Sequence, residues 1–321
     1  LAFIGNTPVE HGVLEHLVDK GFVVVRSGLR SETSEKLIYN ASFLPRSIGD
    51  VVDQGQFGLG VGNPYNPDCD VHMYVRDGFS SLRIEGNYFN RHTQLLTLGN
   101  RPDPRKLKLM DTPVFPKGID GFGSLSNMVA LPLEEAAFGL AREIERIEAI
   151  GDLCVDVSAQ LGMMDLFSPF RNPNDFTFEL VHYKSGERVS PLDHLDFTHT
   201  DPEEKAVVIS ISLGDASDPW VIGRNIEARE VVLQNPHDLI IMDTDLDFGR
   251  QPPIHSPIVE GHDRDALVII LRNSAREIAL RALPGLALTG GWQSSKLDAT
   301  SGPMVDLMNT IATQLNQSLV R

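Results

Sequence analysis

The chain has 321 residues, 41% of them hydrophobic, and carries 28 Lys and Arg against 44 Asp and Glu, a net charge of −16. That length suits one large domain or two small ones, and the composition is that of a globular protein. The acidic balance argues against a long phosphate backbone as partner, since duplex binders normally present a basic face, and no run approaches the ~18–20 apolar residues of a membrane span.

No basic-then-apolar leader is visible, so the expected location is cytoplasmic. Cys69 and Cys154 are too few for a disulfide framework or a zinc site and read as free thiols in a reducing compartment. Thr7 to Lys20 is predicted as a helix with Val9, Val13, Leu14 and Leu17 on one side, Pro8 at its first position and Gly21 ending it. Phe22 to Val25 reads as a strand and Ser31 to Leu44 as a second helix. His11 and His16 share no helical face well and read as solvated.

Asp50 to Arg76 is rich in Gly, Asn, Pro and Asp and reads as a surface loop, with a lid as the functional alternative. Gly58-Leu59-Gly60-Val61-Gly62 lacks both the Lys-Ser/Thr of a phosphate loop and the helix of a dinucleotide site. Asp70-Val71-His72 sits in no clear strand pattern. Arg101, Arg105, Lys106 and Lys108 form the densest basic patch, read as a solvated turn. Pro132 to Ile150 is predicted as a helix and Asp156 to Met164 as another. Strands follow at Phe176 to Lys184, Ala206 to Leu213, Trp220 to Ile222, Glu230 to Leu233, Asp238 to Met242, Ser256 to Val259 and Ala266 to Arg272, with Asn235-Pro236-His237-Asp238 as a turn. Gly290-Gly291-Trp292 reads as a loop and Pro303 to Leu319 as a final amphipathic helix.

The chemistry concentrates between Asp193 and Arg272. Alternate residues on a strand share a face, so His194 and Asp196 point the same way. One imidazole and one carboxylate make most of a metal site, and His255 is the best candidate for a second imidazole. Two His and one carboxylate on one face of an octahedral ion leave three positions open, the arrangement of non-haem Fe(II) oxygenases. In the strand Ala266 to Arg272, Arg272 shares a face with Ala266, Val268 and Ile270. A guanidinium ending so apolar a strand calls for an anionic partner, and its fork matches a carboxylate.

His194-x-Asp196, the strand Ser210-Ile211-Ser212-Leu213-Gly214, His255, Arg272 and the upstream Tyr183 together resemble the Fe(II)/2-oxoglutarate-dependent dioxygenases, and within them the AlkB-like group, over roughly the last half of the chain. Val181 stands where that group has Asn, and Ile278 where it has a second strand-end Arg, with Arg276 nearest. The resemblance implies Fe(II) held by His194, Asp196 and His255. It implies 2-oxoglutarate as co-substrate, gripped by Arg272 with Tyr183 and Arg276 nearby, and O2 as oxidant. The implied fold is mainly β with flanking helices: a double-stranded β-helix, a jelly-roll or cupin-like barrel buttressed by α-helices. A single domain is expected, with N-terminal helices, strands and lid-like loops over 1–175, the barrel core over 176–280 and a C-terminal extension over 281–321. The implied reaction hydroxylates a C–H bond while 2-oxoglutarate is decarboxylated to succinate and CO2. The charge favours a small organic substrate. Oxidative demethylation of a nucleobase is the AlkB-like alternative, and a non-catalytic ligand-binding barrel is the third. The oligomeric state is not legible.

Overall fold

A long apolar run of the sequence lies at the centre of the large sheet. The computed structural model describes residues 8–26, 28–44, 71–76, 79–89, 129–132, 144–185, 205–224, 230–243, 253–259 and 261–293. The late apolar run forms β11 (Arg264–Arg272), paired antiparallel on one side with β5 (Phe176–Tyr183) and on the other with β6 (Ala206–Ser212). A strand with neighbours at both edges and layers over both faces has little solvent side, which explains its near-continuous apolar character.

Pairing extends this sheet outward. Beyond β6 lie β9 (Leu239–Asp243), β1 (Phe22–Val25) and β12 (Trp292–Gln293). Beyond β5 lie β3 (Phe79–Glu85), β2 (Val71–Arg76) and β4 (Val129–Pro132). A second sheet holds β7 (Asp218–Gly223) between β10 (Ile254–Pro257) and β8 (Glu230–Gln234).

Strand alternation sorts the two faces of the nine-stranded sheet. Leu267, Ile269 and Leu271 join Val207, Ile209, Phe176, Phe178 and Ile241 in one buried layer. Helices α1 (Pro8–Lys20), α2 (Ser31–Ala41), α3 (Ile144–Gln160) and α4 (Asn273–Gly290) cover it with Val13, Leu17, Leu37, Ile150, Val157, Ile278 and Leu283. Ile270 faces the other way with Val208, Ile240 and Met242, and meets Trp220, Ile222 and Val232 of the small sheet.

The architecture is therefore a mixed α/β fold, a sheet core with flanking helices. The expected closed barrel is corrected: among the described residues two sheets meet without a strand pairing between them, each keeping its backbone ladder to itself. The large sheet grows sideways at both ends, so its strands spend their backbone groups on coplanar neighbours. The sheets associate through side chains, as in a sandwich.

Several local expectations are also revised. Pro132 ends strand β4 instead of opening a helix. β4 is an edge strand, where a missing N–H is tolerated. The two helices expected around Ile150 and Asp156 are one helix, α3. Val71-His72 begins strand β2. Helix α4 was not anticipated, because Pro284 and Gly285 lie inside it. Its start is set by Asn273, which adopts φ 46°, a left-handed conformation that Asn tolerates better than most residues and that turns the chain sharply off β11. His237 occupies the predicted turn, with φ 67°. The basic patch from Arg101, the glycine-rich loop from Gly58, Cys69 and the helix from Pro303 lie outside the described residues. Cys154 is a free, fully buried thiol, and burial raises its pKa.

Two predictions arise from the fold. Gly86 follows β3 where a Cβ would stand 2.0 Å from the Pro173 carbonyl oxygen and 2.9 Å from the Phe176 ring. Gly86→Ala is expected to lower stability by about 3 kcal/mol, the upper part of the range for overpacking, measured by urea unfolding. His16 is half-buried beside the rings of Phe22 and Trp292, not solvated as expected. Burial lowers its pKa, reinforced by Lys20 and partly opposed by Glu230 and Asp19. A histidine depressed in the folded state binds protons more readily when unfolded, so its contribution is intact above pH 6.5 and fades as pH falls toward the folded value. His16→Leu should therefore flatten the stability profile between pH 7 and pH 5; a profile parallel to wild type would contradict this.

Candidate functional site

The space between the sheets is apolar in its middle and polar at one end. That end is built around Arg264, the first residue of β11. It shares the face of Ala266, Val268 and Ile270, so alternation directs its side chain between the sheets. Arg264 is only 2% exposed. Its Nε donates to Asp218 Oδ2 at 3.0 Å, and its Nη2 donates to Ser210 Oγ and Gln234 Oε1, both at 3.2 Å. Its Cζ lies 5.0 Å from the centre of the Trp220 ring and 5.4 Å from that of Tyr183. Two aromatic faces and a carboxylate are what a buried guanidinium requires. Its Nη1 takes no part in these three bonds.

Asp218, 1% exposed, uses its second oxygen on His262 Nε2 at 2.9 Å. Gln234 reaches from β8 to the large sheet. Its Nε2 donates to the backbone oxygens of Ser210 and Asp238, and its Oε1 accepts from Trp220 Nε1 at 2.9 Å. The network thus ties both sheets together at this end. The buried Ser212 hydroxyl has no hydrogen-bond partner among the described residues. It lies on β6 two residues from Ser210 and on the same face.

His255 lies in β10, paired with Ile222 and therefore facing the same interior. It is 3% exposed and its ring stacks on Trp220, centroids 5.9 Å apart. Its Nδ1 sits 3.0 Å from the Pro253 carbonyl oxygen. A carbonyl only accepts, so Nδ1 carries the proton, and in the neutral ring Nε2 carries the lone pair. That is the tautomer of a metal-ligating imidazole whose second nitrogen is anchored on the backbone.

The sequence-predicted residues separate into three groups. His255 and Tyr183 are brought to the same end, joined through Trp220 and Arg264. Arg272 and Arg276 are elsewhere. Arg272 ends β11, roughly 27 Å along the strand from Arg264, half-buried with Nη1 donating to Thr177 Oγ1 at 3.3 Å. Arg276 is in helix α4, not on a strand, and grips Asp243 through Nη2 and Nε at 3.0–3.3 Å. Asp243 shares the helix-covered face with Leu239 and Ile241, so that guanidinium lies across the large sheet from His255. His194 and Asp196 lie outside the described residues. Among the described residues no three His, Cys, Asp or Glu side chains group to hold a metal ion.

Sequence reasoning missed Arg264, Asp218, Gln234 and Trp220. Arg264 had a signal: the parity that singled out Arg272 applies equally to a cation at the start of the same strand. Asp218 and Gln234 had none, since only the packing of one sheet on the other makes them neighbours.

No family model and no curated protein matches this sequence. Among solved structures the chain is similar to a prolyl-4-hydroxylase from Pseudomonas putida, at 14% identity over 83% of this chain and 98% of that one, with a TM-score of 0.35. It is similar to dioxygenase for auxin oxidation 1 from Arabidopsis thaliana in a 2-oxoglutarate complex, at 12% identity over 84% and 90%, TM-score 0.37. It is also similar to the full-length T7H of Neurospora crassa in complex with alpha-KG, at 14% identity over 83% and 78%, TM-score 0.38. None of the three is named as an AlkB-like protein. At these values the likenesses carry no argument, and the chemistry rests on the residues.

Proposed function

We propose that this chain is a single-domain Fe(II)/2-oxoglutarate-dependent dioxygenase that hydroxylates a C–H bond of a small organic molecule. The observation that carries the reading is the buried, aromatic-flanked Arg264 sharing the Trp220 ring with a buried His255 whose Nδ1 is anchored on the Pro253 carbonyl. The residues at this end fit the group they would hold: a cation for a carboxylate, an unpartnered buried hydroxyl on Ser212 for a ligand oxygen, and an oriented imidazole for a metal. His194, Asp196 and His255 would be the iron ligands. We assign the carboxylate of the co-substrate to Arg264 with Tyr183, instead of Arg272, because Arg264 is the guanidinium near His255. When bound, Fe(II) with 2-oxoglutarate supplies the oxidising power for hydroxylation, releasing succinate and CO2.

The chain's own part is positioning. Pro253 fixes the His255 ring. Gln234 holds the Trp220 indole, and Trp220 in turn covers His255 and Arg264. Apolar walls from Val208, Ile240, Ile222 and Val232 exclude water from the interior. The net charge of −16 favours a small substrate over nucleic acid. Among the described residues no helix is long and apolar enough to cross a membrane.

Mixing the full chain anaerobically with Fe(II) and 2-oxoglutarate should produce a visible charge-transfer band that depends on both. Succinate release should then be stimulated by members of a metabolite panel. No band would refute the reading, and stimulation by alkylated oligonucleotides alone would replace the small-molecule substrate with a nucleobase.

A further inference from the structure

The anion site at Arg264 is already neutral before any acid arrives. Asp218 is buried against Arg264 at 3.0 Å, and the pair carries no net charge. A carboxylate added beside Arg264 would leave the cluster with one uncompensated negative charge in a setting where charges are poorly screened. One further group touches it. His262 Nε2 lies 2.9 Å from the other oxygen of Asp218, and its side chain is 32% exposed, so it can exchange protons with solvent. Among the described residues the charged groups around His262 are Asp218 on β7 and, behind it, Arg264 on β11. Its chain neighbour Asp263 turns away, accepting from the Ser185 backbone N–H and lying 3.7 Å from His182 Nε2, while Asp265 bonds His182 Nδ1.

We infer that His262 and Asp218 form a proton-linked counter-charge for the acid site, so that binding of a carboxylate at Arg264 is accompanied by uptake of a proton at His262. This rests on the proposed assignment of Arg264 to the co-substrate. The charges then balance: the neutral Arg264–Asp218 pair gains one negative charge from the acid and one positive charge from the proton. His262 and Asp218 are positioning residues here, acting on the acid through Arg264. Imidazole is the side chain suited to this role near neutral pH. Linkage gives the sign: a ligand that favours the protonated form binds more tightly as pH falls.

The test is calorimetry of 2-oxoglutarate binding to the full chain loaded anaerobically with Fe(II), from pH 6.5 to 8.5, in buffers of different ionisation enthalpy. Wild type is expected to take up a substantial fraction of one proton and to lose about tenfold in affinity across that range, the equivalent of one pK unit of coupling. His262→Gln, a change at a partly exposed site, should abolish the uptake and bring affinity at pH 6.5 down to the level at pH 8.5. Asp218→Asn should remove the dependence from the other side, with affinity at pH 8.5 rising. Binding without proton uptake in wild type, or an unchanged pH slope in His262→Gln, would overturn the inference while leaving the acid site standing. Absence of any binding heat at every pH would overturn the acid site, and the coupling with it.

Discussion

Arg264→Met is expected to destabilise the protein by about 3–5 kcal/mol, because it leaves Asp218 buried with, among the described residues, only His262 to face it. The measurement is urea unfolding at constant pH, with an unchanged slope showing that the same surface is exposed. A companion tests the cause. Arg264→Met combined with Asp218→Leu removes both charges and should recover most of the loss, since replacing a buried pair by apolar groups is often neutral. In whatever fraction of Arg264→Met remains folded, affinity for 2-oxoglutarate should fall about a hundredfold, the scale for truncating one partner of a buried charge contact. Full stability with wild-type affinity would remove Arg264 from the site.

Arg276→Met should cost a similar amount, about 3–5 kcal/mol, for a different reason and with a different consequence. Its guanidinium, 4% exposed, joins helix α4 to the end of β9 through Asp243. Losing that fork loosens the helix layer on the large sheet. The space between the sheets lies on the other face, so 2-oxoglutarate affinity of the folded protein should stay within about twofold of wild type, the range left to sites with no shared partner. A large fall in affinity at full stability would move the acid site to Arg276. The two arginines therefore separate by readout: one governs stability and acid binding, the other stability alone.

Much of the element pattern was legible in the chain itself. Phe22 to Val25, Ala206 to Ser212 and Leu239 to Asp243 are strands because they are dense in β-branched and other apolar residues over a few positions between turn signals, and local physics suffices for that. Pro8 and Gly21 mark the bounds of α1 through backbone restrictions that do not depend on neighbours. Helix α4 escaped because its stability comes from Ile278, Ala279 and Leu283 packing under the sheet, which outweighs the unfavourable Pro284 and Gly285. β4 escaped because Pro132 reads as a helix start until the sheet places it at an edge.

The candidate site divides the same way. His255 and Tyr183 were legible as candidates because each carries its chemistry in its own side chain and stands in a recognisable local pattern. The choice between Arg264 and Arg272 was not, because both obey the same strand parity and differ in the partners the fold brings them, Asp218, Gln234 and Trp220 at Arg264 and Thr177 at Arg272. The chain alone made many of the strands legible, and with them the face each of their side chains takes, since the two-residue repeat is a property of the backbone. The fold was needed to show that, among the described residues, the two sheets do not join into a closed barrel and that Asp218, Gln234 and Trp220 of one sheet close around Arg264 of the other, because contacts between residues distant in the chain are set by how whole layers pack.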